Sequence, residues 1–363
     1  MWPDRRLLDL FEIALPIIQA PMAGANGSAM AIAVSEAGGL GSLPCAMLDA
    51  AKARAELGVM RQRTSRPFNV NFFCHAPAKF DSEREAGWRA RLGPFYGELG
   101  IDPSTQAPAI NRAPFDDAMC AIVEQAKPKV VSFHFGLPAR PLLDRVKAAG
   151  CRVLCSATTV AEARWLEDRG CDAIIAQGCE AGGHRGMFLT DDVAAQPGTF
   201  VLVPQVVDAV KVPVVAAGGI ADGRGIAAAL ALGAAAVQIG TAYLFAPEAT
   251  ITDLHRAALL GARDDGTALT NLFTGRPARG VVNRLMREIG PMSSDAPAFP
   301  TAGGALAPLR QKAESEGSTD FSPLWSGQAV RLGRTMGAAE LTRRLAAEAT
   351  TRLAFLGAQR PAG

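Results

Sequence analysis

Two glycine turns, one βα unit apart, constrain this chain more than any other feature. The apolar run Val214-Val215-Ala216-Ala217 stops at Gly218-Gly219-Ile220-Ala221-Asp222, and Ala236-Val237-Gln238-Ile239 stops at Gly240-Thr241. Glycine has no Cβ, so the backbone N–H groups of such a turn can approach an anion closely, and a helix opening at Asp222 would add the positive end of its dipole. Two successive strand-to-glycine turns converging on one phosphate are what the seventh and eighth strands of a (β/α)8 barrel supply, at the carboxyl ends of the strands. Gly218, Gly219, Gly240 and Thr241 are therefore candidate phosphate-binding residues, in a cradle that needs no lysine.

The rest of the chain fits an α/β fold of that kind, a (β/α)8 TIM barrel. Short β-branched runs at 16–21, 40–43, 68–73, 129–135, 152–156, 173–177, 212–217 and 236–240 alternate with alanine-rich helical patterns, which predicts parallel strands joined by crossover helices. The 363 residues exceed the roughly 250 that a barrel uses, leaving about a hundred for additions. One addition is expected at about 74–114, after the third strand, where the connection is too long and too rich in Pro, Gly and charge for a simple βα loop. The barrel domain then spans 1–245, and 246–363 forms a mainly helical C-terminal extension packed near the barrel mouth. A doubly wound open sheet fits less well, because no GxGxxG follows the first strand and the phosphate signal falls at the last two.

Charge and cysteine usage exclude whole classes of partner. With 37 basic and 35 acidic residues and no dense Lys/Arg run, no field gathers nucleic acid or an anionic membrane. No stretch is apolar for long enough to suggest a membrane span, and the amino terminus lacks the pattern of a secretory signal. Seven cysteines, an odd number without a CxxC pair, suit reduced thiols in a cytoplasmic protein. The four histidines form no HxxxH or HExxH set, so no metal site is expected.

A barrel places its chemistry at the carboxyl ends of its strands. Ala20-Pro21-Met22 ends the first strand and leaves open backbone and a soft apolar surface for a flat ring. Asn71 and Gln177 put amides at the mouth, where a heterocycle with donors and acceptors along one edge would satisfy them. His134, at the end of strand four, and His184, in the glycine-rich loop Glu180-Ala181-Gly182-Gly183-His184-Arg185-Gly186, are the candidate catalytic residues.

Taken together, Pro16-Ile17-Ile18-Gln19-Ala20-Pro21-Met22, Val70-Asn71, Val131-Ser132-Phe133-His134-Phe135-Gly136, the loop from Gln177 to Gly186, both glycine turns and Leu324-Trp325-Ser326-Gly327-Gln328 resemble the nitronate monooxygenases, formerly the 2-nitropropane dioxygenases. The resemblance implies an FMN enzyme that oxidises alkyl nitronates, such as propionate 3-nitronate, with O2 to a carbonyl compound and nitrite, through a flavin semiquinone. It sets Ala20, Pro21 and Met22 against the flavin ring, Asn71 and Gln177 at its polar edge and Gly182 in the following loop. The phosphate falls to Gly219, Gly240 and Thr241, with Gln238 close by. His134 then serves as a base toward a neutral nitroalkane, or as a hydrogen-bond donor to a nitronate that arrives already deprotonated. The loop bearing His184 is also similar to that of flavin-dependent enoyl-acyl-carrier-protein reductases, so the alternative is an NAD(P)H-dependent FMN reductase of an enoyl thioester or quinone. The expected partners are a small nitronate and O2, in a monomer or homodimer.

Overall fold

A computed structural model of the chain describes residues 2–77, 81–102, 104–105 and 112–358. The barrel strands are β1 (Ile17–Gln19), β2 (Gly41–Pro44), β3 (Phe68–Phe73), β4 (Val130–His134), β5 (Arg152–Ala157) and β6 (Ala173–Gln177). After the two-residue β7 (Gly183–His184) come β8 (Val214–Ala217) and β9 (Ala236–Ile239). All strands but β7 pair in parallel, β6 directly with β8 and β9 back onto β1. An Ile18–Leu40 bridge joins β1 to the start of β2 and closes the barrel. Two strands are shorter than their apolar runs because Pro16, Pro21 and Pro213 have no N–H to give a ladder.

Period-two alternation sorts the core. Ile18, Leu40, Val130, Leu154, Ile175, Val215 and Ala236 share one cluster inside the barrel, plugged by Leu7, Leu8 and Phe11 of the helix Arg6–Phe11. Their strand neighbours Ile17, Val131, Val153, Ile174, Val214 and Val237 belong to the outer cluster under the helices.

The insertion after β3 contains the helix Ser82–Glu98, started by the Asp81 side chain, which accepts from Arg84 N–H. It packs on the helix Gly303–Ser315 rather than standing free as a lid. Trp88 Nε1–H donates to Ala302 O at 3.0 Å and Tyr96 O–H to Ala305 O at 2.6 Å. Trp88, Leu92 and Phe95 share a second core with Leu306, Leu309 and Phe321. Residues 78–80, 103 and 106–111 of the insertion lie outside the described residues.

Past residue 245 the chain is not helical throughout. The hairpin β10 (Thr267–Thr270) and β11 (Ala278–Val281) is antiparallel, and β7 adds to its edge through Ala278–His184 and Arg279–Gly183 pairing. The His184 loop is thereby fixed to the C-terminal region. The last helix, Ala338–Ala358, returns to the barrel and packs between the helices Ser28–Glu36 and Gly223–Ala231, over the seam of β1 and β9. No helix among the described residues is long and apolar enough to cross a membrane.

Candidate active site

A cavity of about 360 Å³ opens at the carboxyl ends of the strands. Ala20, Pro21 and Met22 line it beyond β1, Asn71 in β3, His134 at the end of β4 and Gln177 at the end of β6. Gly182 and His184 reach it from the loop, Gly218 and Gly219 from β8, and Gln238, Gly240 and Thr241 from β9. Every residue singled out from the sequence thus meets in one space.

At the glycine turns, Gly218 and Gly219 have φ of 116° and 69°, which L side chains avoid. A Cβ on Gly218 would lie 2.7 Å from Thr199 Oγ1. The neighbouring helix Gly223–Ala231 contributes less than its position suggests. Asp222 already accepts from Arg224 and Gly225 N–H, and Glu348 from Gly223 N–H, so any anion at this place would rest on the turns' own N–H groups. Thr241 Oγ1 accepts from Gly327 N–H at 2.8 Å. Gly182 is small for a packing reason too, since a Cβ there would meet Gly327 N at 2.5 Å.

The amides differ in what they can still offer. Asn71 Nδ2 donates to Ser132 Oγ at 2.9 Å, leaving its carbonyl oxygen for a ligand. Gln177 is braced at both ends by the loop, donating to His184 O at 3.0 Å and accepting from Gly186 N–H at 2.7 Å, with one further valence at each end. Gln238 Oε1 is buried and has no hydrogen-bond partner among the described residues.

His134 has a defined tautomer. A carbonyl can only accept, so the 3.2 Å contact to His184 O puts the proton on Nε2. Nδ1 then accepts from Ser156 Oγ–H at 3.1 Å. Burial, reinforced by the charges of Arg276 and Arg185, pushes its pKa down to about 4 against the opposing His184 hydrogen bond, so the ring is neutral at neutral pH. The following residue, Phe135, holds φ of 69°, a strained conformation for an aromatic residue. Its ring packs 4.6 Å from His134 and against Phe73 and Phe299. His184 donates to Thr274 Oγ1 at 3.0 Å, because that hydroxyl is itself spent on Arg276 O. Burial and surrounding cations hold its pKa well below the ordinary imidazole value.

Ser156 escaped the sequence reading, and Ser132 and Arg185 entered it only as members of the quoted motifs, Arg185 with a structural role in tying the loop to the barrel. That arginine is 0 % exposed and carries its charge among neutral acceptors: Gln177 O and Gly178 O, each at 2.6 Å, and Gln196 Oε1 at 2.7 Å. It ties the end of β6 to the loop that bears His184.

Comparison with known proteins identifies the family. The nitronate monooxygenase family model matches residues 4–348. A nitronate monooxygenase of Pseudomonas aeruginosa is 44 % identical over 345 residues, covering 94 % of this chain and 98 % of that protein. One from Paraburkholderia phytofirmans is 43 % identical, over 95 % and 94 %. Among solved structures, nitroalkane oxidase from Streptomyces ansochromogenes superposes with a TM-score of 0.87 at 41 % identity, covering 97 % of this chain and 99 % of that one. FabK from Thermotoga maritima gives 0.73 at 27 %, covering 99 % and 100 %. With a matching family model along nearly its whole length and relatives above 40 % identity, the chain belongs to the nitronate monooxygenase family.

Proposed function

We propose that this cavity binds FMN and oxidises alkyl nitronates with O2, yielding nitrite and a carbonyl compound. The carrying observation is a histidine held neutral by burial in the same cavity as a double glycine turn. The residues present suit the cofactor. The backbone of Gly218, Gly219 and Gly240 with Thr241 suits a phosphate. The orphaned Gln238 Oε1 calls for a hydroxyl or N–H donor, and Asn71 offers an acceptor. Ala20, Pro21 and Met22 provide an apolar wall for a flat ring. When bound, the flavin supplies the electron transfer between nitronate and O2.

What the chain itself contributes is position and a dry, proton-poor setting. Phe73 and Phe135 limit water beside His134. A base with a pKa near 4 is badly tuned to take a proton from carbon at neutral pH. Of the two roles open to His134, the low pKa disfavours the base, and donation to a nitronate that arrives deprotonated requires its Nε2–H to be shared with, or turned from, the His184 carbonyl. NAD(P)H-dependent reduction of an enoyl thioester or quinone is the second reading, carried by the His184 loop; His184, like His134, is neutral and already donates its one N–H, here to Thr274.

Activity on a pre-formed nitronate should therefore show no imidazole limb between about pH 6 and about pH 9, because His134 stays neutral throughout. The parent nitroalkane should react about 100-fold or more slowly, for want of a competent base. Steady-state oxygen uptake across pH measures both. A limb near the ordinary imidazole pKa, or equal rates on the nitroalkane, would restore His134 as the base. Anaerobic addition of nitronate or of NADPH while recording the flavin spectrum separates the two functions: bleaching by NADPH alone would replace the oxidase reading with the reductase.

A further inference from the structure

Four arginines stand in or near the cavity, Arg112 and Arg310 in its lining and Arg185 and Arg276 outside it, and most of them are already occupied. Arg185 engages each of its three nitrogens with a neutral acceptor. Arg276 donates to Met187 O at 2.6 Å, with its guanidinium 4.1 Å over the Phe135 ring. Arg310, on the cavity wall, pairs with Glu314 at 2.7 Å. Arg112 differs. It lines the cavity, its Nε is buried without a hydrogen-bond partner among the described residues, and its aromatic contact is the Phe299 ring, 5.8 Å from Cζ. The residues outside the description include no Asp or Glu, so the sequence offers no further side-chain carboxylate to neutralise it.

Its placement is not accidental to the fold. His75 Nε2–H donates to the Arg112 carbonyl at 3.0 Å, and the His75 ring stands edge-on to Phe299 at 4.8 Å. The backbone is thus pinned while the guanidinium, without a carboxylate partner among the described residues, stands beside Phe299, whose ring is 5.4 Å from that of His184. Arg112 is the leading charge that depresses His184, which puts its field in the part of the cavity where the two histidines lie. An arginine keeps its proton even when burial disfavours it, so the site holds a standing positive charge in aromatic surroundings.

We propose that Arg112 is the anion-recognition residue of the substrate pocket, binding the charged oxygens of a nitronate and rejecting the neutral nitroalkane. The inference rests on the nitronate reading and gives it a source of specificity. A planar O–N–O anion matches the fork of a guanidinium, as a carboxylate does. It supplies the counter-charge that the buried cation lacks, whereas the nitroalkane of nearly the same shape leaves the charge uncompensated.

The test uses flavin-loaded wild type, Arg112→Met, Arg112→Gln and Arg112→Lys at constant ionic strength. Oxygen uptake is followed with ethyl nitronate, and sodium nitrate serves as a planar anion probe read by perturbation of the flavin spectrum. Removing the charge should raise KM about 30-fold or more while kcat changes less than about threefold, the scale for truncating one partner of a buried charge pair. Nitrate should compete with nitronate and perturb the flavin in wild type, do neither in the Met and Gln variants, and largely recover both effects with Lys. An unchanged KM, a loss confined to kcat, or nitrate binding equally to wild type and Arg112→Gln would overturn the proposal. If ethyl nitronate is not oxidised by wild type, the nitronate reading fails. Arg112-dependent nitrate binding would even then uphold the anion site, and its absence would overturn it.

Discussion

Gly218→Val is expected to yield a folded but colourless protein. The turn after β8 holds Gly218 at a φ of 116°, which only glycine adopts without strain. An added Cβ would lie 2.7 Å from Thr199 Oγ1, 3.1 Å from Ala181 N and 3.2 Å from Gly178 O, two of them backbone atoms that cannot swing aside. Thr199 cannot move freely either, because its N–H and hydroxyl are both bonded to the Glu180 carboxylate. The turn itself must yield, and directional N–H groups lose their aim at a phosphate after a shift of a few tenths of an ångström. A weakening of FMN binding by about 100-fold, or about 3 kcal/mol, follows. Gly219→Ala is the internal contrast. Its φ of 69° lies in the left-handed region, so alanine carries about 1–2 kcal/mol of backbone strain, but the nearest atom to its new Cβ is Glu180 Cβ at 3.5 Å, an ordinary contact, and nothing forces the turn to move. It should keep most of its flavin. Absorbance of the purified proteins and titration of the apoproteins with FMN measure both, with circular dichroism confirming the fold. Wild-type flavin content in Gly218→Val would remove the phosphate from this turn.

That turn was legible in the sequence because its signal is local: an apolar run, two glycines and a helix start within ten residues. The same holds for the eight strands and for the residues at their carboxyl ends, since a barrel places Asn71, His134 and Gln177 at its mouth once the strands are assigned. What could not be read depends on partners remote in the chain. The helix Ala338–Ala358 packs beside the helix Ser28–Glu36, and nothing in either segment names the other. β7 is two residues long, too short for any periodicity, and exists because the distant hairpin β10–β11 offers it an edge. Ser156 and Arg112 are unremarkable in sequence. They matter only because folding leaves the Nδ1 of His134 facing one and leaves the buried Nε of the other without a hydrogen-bond partner among the described residues. Gln177 shows the intermediate case. Its place at the mouth was readable, but the bracing of both ends of its amide by the 184–186 loop was not.

Arg185→Met is expected to cost about 3–5 kcal/mol of stability, the scale for breaking a buried charged network from one side. Three strong acceptors, Gln177 O, Gly178 O and Gln196 Oε1, face this guanidinium from three directions. Methionine fills similar volume but donates nothing, so each acceptor is left buried, and each such group costs about 1–3 kcal/mol. The damage should spread along a connected set of hydrogen bonds. Gln196 Nε2 donates to Thr158 Oγ1, which donates to Glu162, whose carboxylate also holds the N–H groups of Phe188 and Leu189. That network anchors both ends of the His184 loop, and the His184 carbonyl is the acceptor that keeps the proton of His134 on Nε2. Lysine is no substitute, since a single ammonium on a flexible stem cannot reproduce the planar fork. Urea titration of wild type, Arg185→Met and Arg185→Lys should show both variants with lower midpoints and an unchanged dependence on urea. Flavin-loaded Arg185→Met, studied at a temperature where it remains folded, should also lose kcat on nitronate more than affinity for FMN, because the network reaches the phosphate turns only through Gly178, whose N–H still donates to Ala217 O. Full stability in Arg185→Met would mean that the three acceptors find water or each other, and that the loop holds His134 without help from the buried cation.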